Sequence, residues 1–210
     1  MTVLIFSDRG VFADTLIMEN HFVVDVVDKI TRLPACREGS QVLQVVMTGT
    51  GLSSELEQLK FRIRDIVDKF AELRGKPKQY QKLIQAIFEA PSGFKPDSVS
   101  RLEVIVLDNL AGKRTHITKY ENGSAFQVKY PYVVGYDNAV IYLQGMIDAF
   151  QDIYPEQGIV GMEEVLINKA VTRFFPLPNQ SMLQPLGLCT KYEFTEPFSF
   201  DIIGEQPDDE

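Results

Sequence analysis

Apolar positions fall in two rhythms along this chain. Near the start, Val3, Leu4, Ile5 and Phe6 run without a break, which predicts a strand covered on both faces. Ser7-Asp8-Arg9-Gly10 is turn chemistry, and Val11 to Leu16 reads as the returning strand of a hairpin. Further strand signals cover His21–Val27 and Gln41–Met47, the latter running into Thr48-Gly-Thr-Gly51. The rhythm then becomes helical. Leu56, Leu59, Ile63, Ile66, Val67, Phe70 and Leu73 recur at helix spacing. Ser54 with Glu57 forms a capping-box pattern, and Gly75 and Pro77 stop the run.

A second helix is predicted over about Tyr80–Glu89, closed by Pro91-Ser-Gly93. Strands return at Arg101–Asp108, Lys113–Lys119 and Ala125–Lys129, with Asn109–Gly112 and Glu121–Ser124 as turns. Tyr132–Val134 leads to Gly135. Two more helices cover about Asn138–Ile153 and Met162–Phe174. An irregular stretch from Pro176 to about Leu188 precedes strands at Cys189–Phe194 and Phe198–Ile203. Helices grouped in pairs around antiparallel hairpins predict an α+β fold. Two helix pairs on two stacked sheets give a four-layer αββα sandwich. No linker or fixed-period repeat interrupts it, so residues 1–204 read as one domain and 205–210 as an acidic tail.

Composition narrows the function classes. The 210 residues are 45% hydrophobic, enough for a packed core, and the net charge is -8. An acidic chain argues against nucleic-acid binding, which needs a basic face. Cys36 and Cys189 are the only cysteines, so a disulfide scaffold is not expected and a reduced, cytoplasmic setting is. With two histidines and no CxxC or HExxH, neither a metal site nor a cofactor is expected. No apolar run is long enough to span a bilayer, and no secretion signal opens the chain.

The candidate chemistry gathers at the first hairpin. Removal of Met1 would leave Thr2 with a hydroxyl beside its own free α-amine. Such an amine titrates near neutral pH and can take the proton of a hydroxyl nucleophile. A three-residue loop at Ser7–Arg9 would pair Thr2 with Asp14, and a two-residue loop shifts the pairing by one. Lys29 follows at the end of the next strand. An ammonium lowers the cost of an alkoxide, and a carboxylate holds that ammonium in place. Gly49 offers an unobstructed backbone N–H suited to an oxyanion hole. Each residue alone has an ordinary structural role: Asp14 ending a hairpin, Lys29 solvated, Thr48–Gly51 a turn eased by glycine, Gly135 leading into a helix.

In their order, "TVLIF", "GVFAD", "DKITRL", "MTGTG" and "YVVGYDNAVIYLQGMIDA" resemble the proteasome β-subunits and their bacterial relative HslV, within the N-terminal-nucleophile hydrolases. The element order fits over nearly the whole chain. The resemblance implies peptide-bond hydrolysis through an acyl-enzyme on Thr2. Asp14 and Lys29 would tune the nucleophile, and Gly49 would stabilise the oxyanion. It also implies homo-oligomeric rings around a chamber, polypeptide substrates and an ATP-driven unfoldase partner. The family usually places a serine after the glycine before the third helix, where this chain has Tyr136 and Asp137. It also has an aspartate and then a serine near the end of the fourth helix, where this chain has Thr172-Arg-Phe-Phe175. Ser181 is a candidate replacement. Two alternatives follow: an inactive subunit that keeps the fold for assembly, or an amidohydrolase acting on a small amide.

Overall fold

The computed structural model describes residues 2–34, 43–71, 79–109, 111–120, 130–178, 180–183, 186–194 and 199–200. In chain order the elements are β1 (Val3–Ser7), β2 (Gly10–Asp14), β3 (Leu16–Glu19), β4 (Phe22–Val26), β5 (Thr31–Pro34), β6 (Leu43–Thr50), α1 (Ser53–Ala71) and α2 (Gln79–Glu89). There follow β7 (Arg101–Asp108), β8 (Lys113–Lys119), β9 (Tyr132–Gly135), α3 (Asp137–Ile153), α4 (Glu163–Phe174), α5 (Gln180–Leu183), β10 (Cys189–Glu193) and β11 (Ser199–Phe200). This is an α+β chain with mainly antiparallel sheets. The expected strand at Ala125–Lys129, the turn at Glu121–Ser124, Cys36, Leu73, the side chain of Ser181 and the acidic tail lie outside the described residues.

The chain forms two compact units. The first comprises Met1–Thr31, Thr48–Gly51 and Lys129–Thr195. Its sheet has the order β10-β2-β1-β9, every neighbour antiparallel. Helices α3 and α4 pack on one face. Val3, Ile5 and Phe12 meet Leu143, Ile147, Leu166 and Ile167 there. Leu4, Phe6, Val11 and Ala13 alternate onto the other face and are equally buried. Phe6 lies against the rings of Tyr130 and Tyr132. Both faces of β1 are therefore closed, as its unbroken apolar run predicts.

The second unit comprises Arg32–Met47, Leu52–Val128 and Glu196–Glu210. Its five strands run β11-β8-β7-β6-β5. Leu59, Ile63 and Val67 of α1 and Leu83 and Ile87 of α2 pack on Val45, Met47, Val104 and Val106. Each such fully buried aliphatic side chain contributes about 1.5–3 kcal/mol.

Several expectations change. The strand read as Val11–Leu16 breaks at Thr15, and β3 restarts at Leu16 to pair with β4. His21 is not in a strand: Asn20 and His21 both have positive φ, the backbone of a tight hairpin turn. Helix α1 starts at Ser53, so Ser54 lies inside its first turn, and Glu57 pairs with Lys60 at 3.0 Å instead of capping. Leu52 N donates to Ser100 Oγ there, and Glu55 accepts from Ser98 and Ser100. The stretch before Leu188 holds the short helix α5. A strand at Thr31–Pro34 carries no apolar alternation and was not expected.

On the face of β7 opposite its helices, Glu103 is fully buried. It accepts hydrogen bonds from Thr118 Oγ1 at 2.6 Å and Arg101 Nε, and shares one with His116 Nε2 at 2.8 Å. Burial pushes its carboxyl up, but the His116 bond and the charges of His116 and Arg101 outweigh that and hold it below the ordinary range. A depressed carboxyl contributes stability above its unfolded value and loses it as pH falls through the folded one. Wild-type protein is thus expected to be more stable than Glu103→Gln at neutral pH, with the gap closing as pH falls below about 4. Chemical unfolding midpoints across that range check this; a constant gap contradicts it.

Candidate active site

The first unit brings three of the four expected residues together. The β1–β2 register pairs Ser7 with Gly10 and Leu4 with Ala13, so the loop has two residues, Asp8 and Arg9. Asp14 then falls opposite Val3 rather than Thr2. Its Oδ2 accepts the Val3 N–H at 2.5 Å, and its Oδ1 accepts the Leu16 N–H at 2.9 Å. The carboxylate is 1% exposed. Lys29 lies past the end of β4, not on it. Its Nζ donates to Asp14 Oδ1 at 2.7 Å, to Leu16 O at 2.7 Å and to Thr2 Oγ1 at 3.1 Å. All three donor positions of the ammonium are used. Burial drives the Lys29 pKa down, and the Asp14 carboxylate opposes it.

Thr2 itself is pinned from β9. Tyr136 N donates to Thr2 O at 3.0 Å. Gly135, with φ +143°, sits so close that a Cβ there would lie 2.0 Å from Thr2 O. Its part is therefore close approach to Thr2, more than leading into α3. The next ring along, Tyr136, packs against Phe175 with centroids 5.9 Å apart. These aromatics stand where the resemblance implies a serine and polar helix-end residues.

The turn end of the hairpin is braced as well. Ser7 Oγ donates to the buried Glu163 at 2.8 Å, and Gly161 N donates to the same carboxylate. Gly10 lets β10 approach: a Cβ there would lie 2.1 Å from Tyr192 O.

Gly49 is buried in β6 and belongs to the same compact unit as Thr2. No hydrogen bond joins it to Thr2, Asp14 or Lys29 among the described residues. The left-handed glycine of Thr48-Gly-Thr-Gly51 is Gly51, at φ +115°. Sequence reasoning missed Thr15, which is fully buried beside Asp14 and bonded to the Gly187–Leu188 backbone. Nothing in the sequence marks it. Among the described residues no group of three or more His, Cys, Asp or Glu side chains could hold a metal ion, and no helix is long and apolar enough to cross a membrane.

No protein-family model matches the chain. No curated protein matches it either. Among solved structures it is similar to the crystal structure of eukaryotic HslV from Trypanosoma brucei, at 11% identity and a TM-score of 0.43. That similarity covers 81% of this chain and 87% of the other.

Substituting Gly135→Ala forces Thr2 O or the β9 backbone to move and strains a positive φ. A loss of about 1–3 kcal/mol in unfolding free energy is expected. Denaturant titration measures it; a change within about 0.5 kcal/mol, the usual size for a neutral surface site, contradicts the pinning.

Proposed function

We propose that this chain is a threonine peptidase of the proteasome and HslV type, with Thr2 as the N-terminal nucleophile once Met1 is removed. The observation that carries this reading is Lys29 Nζ, placed 3.1 Å from Thr2 Oγ1 and 2.7 Å from Asp14. A buried lysine aimed at an N-terminal hydroxyl, with its own carboxylate partner, is arranged to favour the alkoxide.

The chemistry runs as acyl transfer. Thr2 Oγ attacks the peptide carbonyl carbon while its proton passes to the α-amine, directly or through water. Lys29 stabilises the oxygen as it gains charge, and Asp14 keeps Lys29 in place. Gly49 N–H receives the oxyanion. The C–N bond breaks, and the leaving amine takes the proton from the α-ammonium. Water then attacks the ester, the α-amine takes its proton, and Thr2 Oγ recovers one on release. No cofactor enters.

The proposal includes a single domain over residues 1–204 in a four-layer αββα arrangement. What supports it is a helix pair on one face of each sheet and burial of the opposite faces. It also includes homo-oligomeric rings, polypeptide substrates and an ATP-dependent unfoldase, from the sequence resemblance, and a cytoplasmic setting, from the sparse cysteines.

One observation favours a second reading. Tyr136 and Phe175 form an aromatic pair where the resemblance implies polar support for the α-amine. That suits a subunit that keeps the fold for assembly without catalysis. Turnover of a small panel of peptide amides separates the two. The peptidase reading expects Thr2→Ala to lose activity by a factor of at least about 1,000, in line with removal of a nucleophile. Equal turnover by wild type and variant sinks it, and no turnover by either favours the assembly subunit.

A further inference from the structure

We infer that Thr15 is a positioning residue that sets the Lys29–Asp14–Thr2 cluster by anchoring its strand junction to the Gly187–Leu188 backbone. This rests on the reading of Thr2 as nucleophile.

The strand break at Thr15 is where the geometry originates. Thr15 is completely buried and lies between β2 and β3, outside both ladders. Its polar groups are all committed elsewhere. Its N–H donates to Leu188 O at 3.3 Å, its Oγ1 donates to Gly187 O at 2.6 Å, and its carbonyl accepts the Val27 N–H at 2.9 Å. On one side of it, Asp14 supplies a carboxylate to Lys29. On the other, Leu16 supplies a carbonyl to the same ammonium. The angle between those acceptors is fixed by the backbone of the residue between them. The Val27 bond ties down the segment that carries Lys29 two residues later. Thr15 thus holds both the acceptors and the donor.

The anchor is itself constrained. Gly187 adopts φ +68°, and its N–H donates to Leu183 O at the end of α5. Helix α5 packs on β4, and Leu183 and Leu188 join the cluster that includes Val23 and Val26. Cys189, the next residue, is paired with Asp14 in the β2–β10 register. Gly187 and Leu188 therefore clamp the junction.

Replacing the hydroxyl by a methyl, Thr15→Val, keeps the branched side chain and removes the donor to Gly187 O. The junction can then relax, so Asp14 and Leu16 O no longer converge on Lys29. Thr15→Ser keeps the donor. Among the described residues the titratable group that faces Lys29 is Asp14 on β2. Cys189 on β10 lies beyond Asp14.

The test uses full-length protein labelled with 13Cε-lysine, with the Lys29 signal assigned by loss in Lys29→Arg. In Thr15→Val the Lys29 midpoint is expected to fall by about half a pH unit or more, because burial persists while its acceptors move away. Thr15→Ser is expected to titrate with wild type. In parallel, Thr15→Val is expected to lower kcat about tenfold or more with KM nearly unchanged, the signature of a lost transition-state interaction, and Thr15→Ser to restore it. An unmoved or raised Lys29 midpoint in Thr15→Val overturns the inference. So does a midpoint moved equally in both variants. If Thr15→Val does not fold, Thr15→Ala carries the same measurement. Failure of both to fold, with Thr15→Ser folded, overturns it in favour of a purely structural part. If wild type shows no Thr2-dependent turnover, the peptidase reading fails, and the lysine titration still decides the positioning of Lys29.

Discussion

A buried ammonium must be met by acceptors on every side, and the first unit is organised around that demand. Lys29 is 7% exposed and has Asp14, Leu16 O and Thr2 Oγ1 for partners. Removing one partner of a buried ion pair costs about 3–5 kcal/mol, because the other charge is left stranded. Asp14 and Lys29 therefore cannot drift independently. Their positions in turn depend on a two-residue hairpin turn, on the strand break at Thr15 and on β9 closing over Thr2. The turn is local backbone geometry, the other two are tertiary contacts, and together they bring residues 2, 14 and 29 to one point.

The same constraint bears on function. A protein that needed only a stable core would do as well with apolar side chains at these positions, since a buried ion pair is often no more stabilising than good hydrophobic packing. A hydroxyl at the third corner gives the pair something to act on. The aromatic contact of Tyr136 with Phe175 pulls the other way, because it offers no carboxylate to the α-amine. The proposed chemistry accordingly leans on Lys29 and Asp14 more than on groups supporting the amine.

Much of this was legible in the sequence. Helices α1 to α4 follow from apolar spacing, with ends displaced by a residue or so. The approach of Asp14 to the start of β1 follows from counting across the hairpin turn, once both loop lengths are kept open. What escaped was set by tertiary contacts. Thr15 looks like one more strand residue until Gly187 and Leu188 draw its polar groups away from the ladder. Gly135 reads as a helix entry until Thr2 O lies against it. Thr31–Pro34 shows no alternation, because its place in the sheet comes from its β6 neighbour and not from its own pattern. Gly49 is the opposite case: the sequence singles it out, and no described bond ties it to the cluster.

The proposed chemistry needs the Thr2 hydroxyl to work together with its own α-amine. The most direct measurement is the intact mass of the purified protein, with N-terminal sequencing. A chain that starts at Thr2 is expected. A chain that uniformly keeps Met1 would contradict it, because the amine would be locked in a peptide bond and could not serve as the base.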